Sequence, residues 1–299
     1  MLKLTVLLKK LIMIKKKIFI CGATGFLGDH LNFYLSKNYD LILHGYKKKS
    51  KVNNNFINSK EVSKVLSKFK PDIIVNLICF SDVEKCEEHI DKAYNLNTLV
   101  VKNIANWILK FKKQTKLIQI STDHVYNNKV FSNEKKINLV NNYAVTKYLG
   151  EQEALKANGV VIRTNFFSNP RKIKRGLINW LIVSHVKNKK IQLVKDIYFN
   201  PVHVSTLCEI IEKFFRKKYT GIVNVGSINS MSKKEFIIKT MKHLGLKIKK
   251  YTSVDYKNLK NYKCSRPKYM LMNSNKLRKI LNIKIPKLEN EIKKLNNEI

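Results

Sequence analysis

An α/β fold, a doubly wound parallel sheet followed by a smaller C-terminal lobe, is predicted for this 299-residue chain by three observations. Short apolar runs alternate with stretches of helical apolar spacing through the first half. The first run leads straight into a glycine-rich turn. Beyond Arg163 the alternation becomes irregular, and Pro201, Pro267 and Pro286 separate shorter elements.

The elements follow in order. Ile18 to Cys21 is a short apolar run ending at glycine, the pattern of a strand buried on both faces. Leu27, Leu31 and Leu35 recur at helical spacing. Leu41 to Leu43 reads as the second strand, and Val62, Val65, Leu66 and Phe69 mark the next helix. Pro71 precedes a strand over Asp72–Ile78, and Leu96, Leu99, Val100, Ile104 and Ile108 mark a long helix. A strand over Leu117–Ile120, a helix over Tyr143–Leu155 and a strand over Val160–Ile162 complete the regular part. In the second lobe, helical stripes near Leu177–Val186, Leu207–Phe215 and Phe236–Leu244 surround strands at Ile191–Val194 and Ile222–Val225.

The turn Gly22-Ala23-Thr24-Gly25-Phe26-Leu27-Gly28 sits between a strand and a helix, the setting in which three spaced glycines hold a pyrophosphate. Glycine gives the tight turn and the close backbone approach, and the helix start offers unpaired N–H groups to the anion. The fold is therefore of the Rossmann type. Residues 14–165 form the dinucleotide-binding domain, residues 166–299 mainly a substrate-binding lobe, and residues 1–13 an N-terminal extension, with Met13 an alternative start. An acidic residue at the end of the second strand would hold the ribose of NAD. This chain has His44-Gly45-Tyr46-Lys47-Lys48-Lys49 there, which favours NADPH and leaves NADH as the second choice.

Composition restricts the function classes. Five scattered cysteines, odd in number and without a C-x-x-C pair, argue against a disulfide framework or zinc ribbon and for a reducing, cytoplasmic setting. No His, Cys, Asp and Glu cluster suggests a metal site. The apolar segment from Leu4 to Leu8 is interrupted by Lys9 and Lys10, so neither a signal peptide nor stable membrane insertion is expected. The net charge of +38 is spread along the whole chain. That spread speaks against a nucleic-acid partner, while the field favours a diphosphate-bearing substrate.

Tyr143 and Lys147 stand four apart at a helix start, so they share one face. An ammonium beside a phenol is expected to lower the phenol pKa and ease proton transfer. Ser121 and Thr122 end a parallel strand at the carboxyl edge, where open sheets bind ligands. Glycine loop, strand-end hydroxyl and following helical Tyr/Lys pair, in that order, form a much more specific signal together than any one of them.

Together these residues resemble the short-chain dehydrogenase/reductase superfamily in its extended form, and more narrowly the dTDP-4-dehydrorhamnose reductase family. The likeness runs from Ile18 to about Ile292. It is carried by C-G-A-T-G-F-L-G at Cys21–Gly28, K-P-D-I-I-V-N at Lys70–Asn76, V-E-K-C-E at Val83–Glu87 and I-S-T-D-H-V-Y at Ile120–Tyr126. N-Y-A-V-T-K at Asn142–Lys147, V-I-R-T-N-F-F at Val161–Phe167, Y-F-N-P-V at Tyr198–Val202, V-N-V-G-S at Val223–Ser227 and R-P-K-Y-M-L-M-N-S-N-K-L at Arg266–Leu277 continue it.

The resemblance implies reduction of a nucleotide-linked 4-keto sugar for surface polysaccharide. It makes Tyr143 the proton donor, Lys147 its support, and Thr122 a hydrogen-bond donor to the reacting oxygen. Cofactor contacts fall on Gly22, Gly25, Phe26, Leu27, Gly28, Asn55, Phe56, Cys79, Phe80 and Ser81, besides Tyr143 and Lys147. Thr122, Asp123, Tyr143 and Phe166 are the implied substrate contacts, and Arg163 is expected to be structural. The chain departs from the family pattern at Asn55, at Leu77-Ile78-Cys79, at Phe166 and at Phe199. Dehydratases of the superfamily carry glutamate where this chain has His124, which argues against dehydration. A 4-epimerase, a non-catalytic NADP-binding regulatory subunit and a homodimeric assembly stay open.

Overall fold

The computed structural model describes residues 16–45, 52–171, 173–246, 251–259 and 264–298. The expected extension over residues 1–13 and the lysine run Lys47–Lys49 lie outside the described residues.

Strands β1 (Lys17–Cys21), β2 (Asp40–His44), β3 (Ile73–Asn76), β4 (Lys116–Ile120) and β5 (Val160–Thr164) alternate with helices. These are α1 (Phe26–Leu35), α2 (Ser59–Phe69), the short α3 (Val83–Glu88) and α4 (Ile90–Tyr94), α5 (Val100–Phe111) and α6 (Asn142–Lys156). The third strand is shorter than the expected Asp72–Ile78, because Asn76 turns its side chain onto Gln119 (2.7 Å) and the chain leaves the sheet. The long helix expected around Leu96–Ile108 has a π-helical turn, Asn95–Leu99, between α4 and α5. Such turns are rare and gather at functional sites.

The second lobe contributes β6 (Phe166–Phe167), α7 (Gly176–Val186), β7 (Ile191–Val194), β8 (Tyr198–Phe199), β9 (Val202–His203) and α8 (Val204–Arg216). It continues through β10 (Gly221–Val225), β11 (Met231–Ser232), α9 (Lys233–His243), β12 (Tyr251–Val254), β13 (Tyr269–Met270), α10 (Asn275–Leu281) and α11 (Leu288–Lys293).

The central sheet has the order β10-β5-β4-β3-β1-β2, and every pairing is parallel. Its sixth strand comes from beyond residue 166, so the C-terminal part of the chain returns to complete the first domain's sheet. The pleat sends alternate residues to opposite faces. Ile18, Ile20, Val160 and Ile162 pack under α1 and α8, against Leu27, Leu31, Ile211 and Phe214. Phe19, Cys21, Ile74 and Val161 pack on the other face against Val62, Leu66, Val101 and Ile104 of α2 and α5. Each fully buried Leu, Ile or Phe contributes about 1.5–3 kcal/mol relative to exposure. A separate apolar core, built around Phe199, Phe236, Met270 and Leu288, holds the second lobe. Between the two lobes, Phe166 of β6 stacks on Phe26 beyond β1, and Asn165 donates to Asp123 beyond β4.

Candidate active site

The glycine turn has the shape that a pyrophosphate cradle needs. Gly22 takes φ +78°, and α1 opens at Gly25 with no side-chain cap. The first helical bond is donated by the Asp29 N–H to the Gly25 carbonyl (2.9 Å), so the N–H groups ahead of it stay unpaired within the helix. At Gly28 a Cβ would sit 2.5 Å from the Gly22 carbonyl oxygen and 2.6 Å from that of Ala23. Those neighbours are backbone and cannot give way. Gly28→Ala is therefore expected to cost about 1–3 kcal/mol of stability and to weaken NADPH binding. Thermal melts and a fluorescence titration check this, and an unchanged affinity would refute the packing argument.

Further along the cleft, Asn97 of the π-helical turn accepts the Phe80 N–H at 2.8 Å and donates to Thr146 at 3.1 Å. This one buried amide ties the loop Cys79-Phe80-Ser81 to the helix that bears Tyr143. Ser81 is exposed and Cys79 half-buried, while the Phe80 ring lies under the Lys92 ammonium at 5.0 Å. Asn55 bends its side chain onto the Ile57 N–H (3.1 Å). Phe56 is placed differently from a surface contact. Its ring is only 2% exposed, stacked on His44 at 4.0 Å and on Phe19 at 6.0 Å. A side chain so enclosed belongs to the apolar core on this face of the sheet.

Asn141 caps α6, accepting the Ala144 N–H at 2.9 Å, which fixes the start of the helix whose 3.6-residue turn puts Tyr143 and Lys147 on one face. Lys147 is buried, and its Nζ donates to the Ile120 carbonyl at 2.6 Å. Tyr143 is buried, with its hydroxyl in hydrogen-bonding reach of Thr122 and of the Cys79 thiol. His124 packs edge-on against its ring at 5.3 Å.

The expected lowering of the phenol pKa does not occur here. Burial first, then Cys79, holds the Tyr143 phenol well above its ordinary range despite the Thr122 hydrogen bond, and the Lys147 ammonium is engaged by Ile120. The phenol stays protonated near neutral pH, the form needed to donate a proton. His124 is likewise neutral: burial, then Lys233 and Arg266, pushes its imidazole down to about 3.

Thr122 lies two residues beyond β4 and caps a 3₁₀ turn through the His124 N–H (3.1 Å). Asp123 beside it receives Asn165 Nδ2 at 2.7 Å. Burial nevertheless pushes the Asp123 carboxyl up to about 6, from an ordinary 3.8. The native state then holds this proton more tightly than the unfolded chain. The Asp123 contribution to stability is full below the ordinary value and is lost as pH rises through about 6. Asp123→Asn is thus expected to stabilise the substrate-free protein by on the order of 2–3 kcal/mol at neutral pH and to do little at pH ~4. Urea unfolding at the two pH values checks this, and equal changes at both would contradict it.

Beneath these groups lies a buried ion pair. Arg163 and Glu151 are 1% and 0% exposed and meet at 2.6 Å. Ser121 Oγ donates to Glu151 at 2.5 Å, and Arg163 also donates to the Tyr126 hydroxyl at 2.8 Å. Burial works against the Arg163 charge, but Glu151 carries its pKa above the ordinary value. Arg163 is structural, as expected from the sequence. Phe166 stacks on Phe26 at 6.2 Å across the cleft, joining the second lobe to the glycine turn.

The residues that sequence reasoning missed come from elsewhere in the chain: Asn97, Asn165, Lys233 and Arg266. Asn165 and Arg266 fall within motifs of the resemblance, and no local spacing links Asn97 or Lys233 to Tyr143. Among the described residues no group of three or more His, Cys, Asp and Glu side chains could hold a metal, and no helix is long and apolar enough to cross a membrane.

The chain is similar to known proteins. Residues 16–299 match the family described as the RmlD substrate binding domain. The chain is 26% identical over 264 residues to the spore coat polysaccharide biosynthesis protein SpsK of Bacillus subtilis (strain 168), covering 86% of this chain and 88% of the relative. A dTDP-4-dehydrorhamnose reductase structure from Bacillus anthracis str. Ames, in complex with NADP, superposes with a TM-score of 0.86 at 25% identity, covering 96% of this chain and all of the other. A hypothetical dTDP-4-dehydrorhamnose reductase from Sulfolobus tokodaii gives 0.80 at 26% identity, covering 90% of this chain and 96% of that one. The chain belongs to the RmlD substrate binding domain family, within the extended short-chain dehydrogenases/reductases.

Proposed function

We propose that this protein reduces a nucleotide-linked 4-keto sugar with NADPH, a step in building a polysaccharide precursor in the cytoplasm. The observation that carries the proposal is the buried Tyr143 one helical turn before Lys147, which is tied to the Ile120 carbonyl at the end of β4, in a chain whose glycine turn leaves no room for a Cβ at Gly28. The cradle residues fit a dinucleotide: Gly22 in its positive-φ turn, Gly28 with no room for a Cβ, and the uncapped start of α1. When bound, the nicotinamide supplies hydride to the sugar carbon.

The chain's own groups do the rest. Thr122 Oγ1 donates a hydrogen bond to the reacting oxygen, which stabilises its developing negative charge. Tyr143 Oη then passes its proton to that oxygen. Lys147, fixed on Ile120, holds the lower end of the same helical face against the cofactor ribose. Asp123, braced by Asn165, and Phe166, braced by Phe26, border the sugar. His124 favours reduction over dehydration, since a neutral imidazole is no carboxylate acid/base.

The relatives support this reading through their names: a dTDP-4-dehydrorhamnose reductase bound to NADP and a polysaccharide biosynthesis protein. NADPH absorbance followed with dTDP-, UDP- and GDP-linked 4-keto sugars tests it. Oxidation with at least one sugar is expected, and none with any of them would overturn the reading.

A further inference from the structure

The proton transfer makes no use of the V-E-K-C-E motif at Val83–Glu87, which forms most of α3. Residues three apart share a side of a helix. Val83 and Cys86 are buried in one apolar cluster with Tyr143 and Cys264. Glu84 and Glu87, also three apart, carry their carboxylates to two other parts of the chain.

Glu87 meets the start of the catalytic helix. Its Oε1 accepts the Asn142 N–H at 2.6 Å, and its Oε2 accepts from Asn142 Nδ2 at 2.7 Å. Asn142 is the first residue of α6 and the immediate neighbour of Tyr143. First-turn N–H groups have no partner inside their own helix, and helix ends fray. A carboxylate there also meets the positive end of the helix dipole. Asn141 takes the Ala144 N–H, so cap and Glu87 together hold the turn that carries Tyr143.

Glu84 fastens a second-lobe segment to the same place. It accepts the Cys264 N–H at 3.1 Å and Arg266 Nη2 at 2.8 Å. Asn141 Nδ2 donates to the Ser265 carbonyl at 2.9 Å, which ties that segment to the cap of α6 as well. Three separate stretches of chain thus meet around Tyr143, and the two carboxylates of α3 join them.

We infer that Glu87 is a positioning residue for Tyr143, acting through Asn142, while Glu84 braces the segment packed in the same cluster. This rests on the reading of Tyr143 as the proton donor. A proton donor has to lie within about 2.6–3.2 Å of its acceptor, and a misplacement of about 1 Å costs on the order of 10²-fold in rate. The glycine cradle belongs to β1 and α1, so NADPH affinity separates a displaced Tyr143 from a damaged fold.

Turnover of a 4-keto nucleotide sugar with NADPH, amide hydrogen exchange and thermal melts test the assignment in four variants. Glu87→Ala is expected to lower kcat about ten-fold or more, with NADPH affinity and sugar KM within about three-fold. Its solvent isotope effect on kcat is expected to rise, because proton transfer is the slowed step; loss of folded protein would not produce that. Amide exchange is expected to quicken at residues 142–145. Glu87→Gln still offers an oxygen to the Asn142 N–H, and a turned Asn142 amide accepts from its NH₂ group, so kcat within about three-fold of wild type is expected. Lys85→Ala, an exposed change between the two glutamates, is expected to match the wild type. Glu87→Asp, one methylene shorter, replaces Glu87→Ala if the melt shows that variant unfolded, and the same kcat loss is expected of it.

Wild-type kcat in the folded Glu87→Ala or Glu87→Asp protein overturns the inference, and so does a Glu87→Gln protein as slow as either. If the wild type reduces no keto sugar, the reductase reading fails and exchange alone decides. Faster exchange confined to residues 142–145 in Glu87→Ala and restored in Glu87→Gln keeps Glu87 as the support of Tyr143, and unchanged exchange removes it.

Discussion

Tyr143→Phe is expected to lower kcat about 10²–10⁴-fold, with NADPH affinity and melting temperature little changed. The variant keeps the buried ring and its edge contact with His124, and removes only the hydroxyl that meets Thr122 and Cys79. Stability is spared because the lost groups are few and the ring still fills its place. The rate is not, because the alkoxide then has Thr122 alone, which can donate a hydrogen bond but is a poor proton source. Single-turnover mixing with saturating NADPH measures the effect on chemistry directly. A variant with a wild-type rate would remove Tyr143 from the proton transfer.

The largest effect on stability is expected at Arg163. Arg163→Met leaves Glu151 buried and charged without its partner, which costs about 3–5 kcal/mol. Ser121 would still donate to Glu151, but one hydroxyl cannot replace the guanidinium's paired hydrogen bonds. Pairing the change with Glu151→Leu is expected to recover much of the loss, since an apolar pair avoids the uncompensated charge. Denaturant unfolding of both variants measures this, and a single-variant loss under about 1 kcal/mol would contradict it. The consequence reaches the site, because Ser121 precedes Thr122 and Glu151 follows Lys147 by one helical turn.

Much of the first domain was legible because its signals are local. Ile18–Cys21 followed by the glycines of Gly22–Gly28 specifies strand, turn and helix within a dozen residues, and Tyr143 and Lys147 need only helical spacing to share a face. The return of Gly221–Val225 to the sheet was not legible. A five-residue apolar run does not say which strand it will pair with sixty residues away. Nor does the sequence around Phe56 say that its ring stacks on His44 and Phe19 in the core. The tyrosine–lysine spacing suggested a lowered phenol pKa, whereas burial dominates because the lysine is spent on a carbonyl. Lys233 escaped notice for a similar reason: only folding brings it near Asp123.

The central claim is that this cleft transfers hydride from NADPH to a sugar carbonyl and protonates the resulting oxygen. Turnover of a 4-keto nucleotide sugar with NADPH deuterated on the transferred face of the nicotinamide C4 tests it most directly. The account predicts a product bearing one deuterium at the reduced sugar carbon, with one NADPH consumed per product. Product formed without deuterium and without net NADPH loss would contradict it and would fit an epimerase that retains its cofactor.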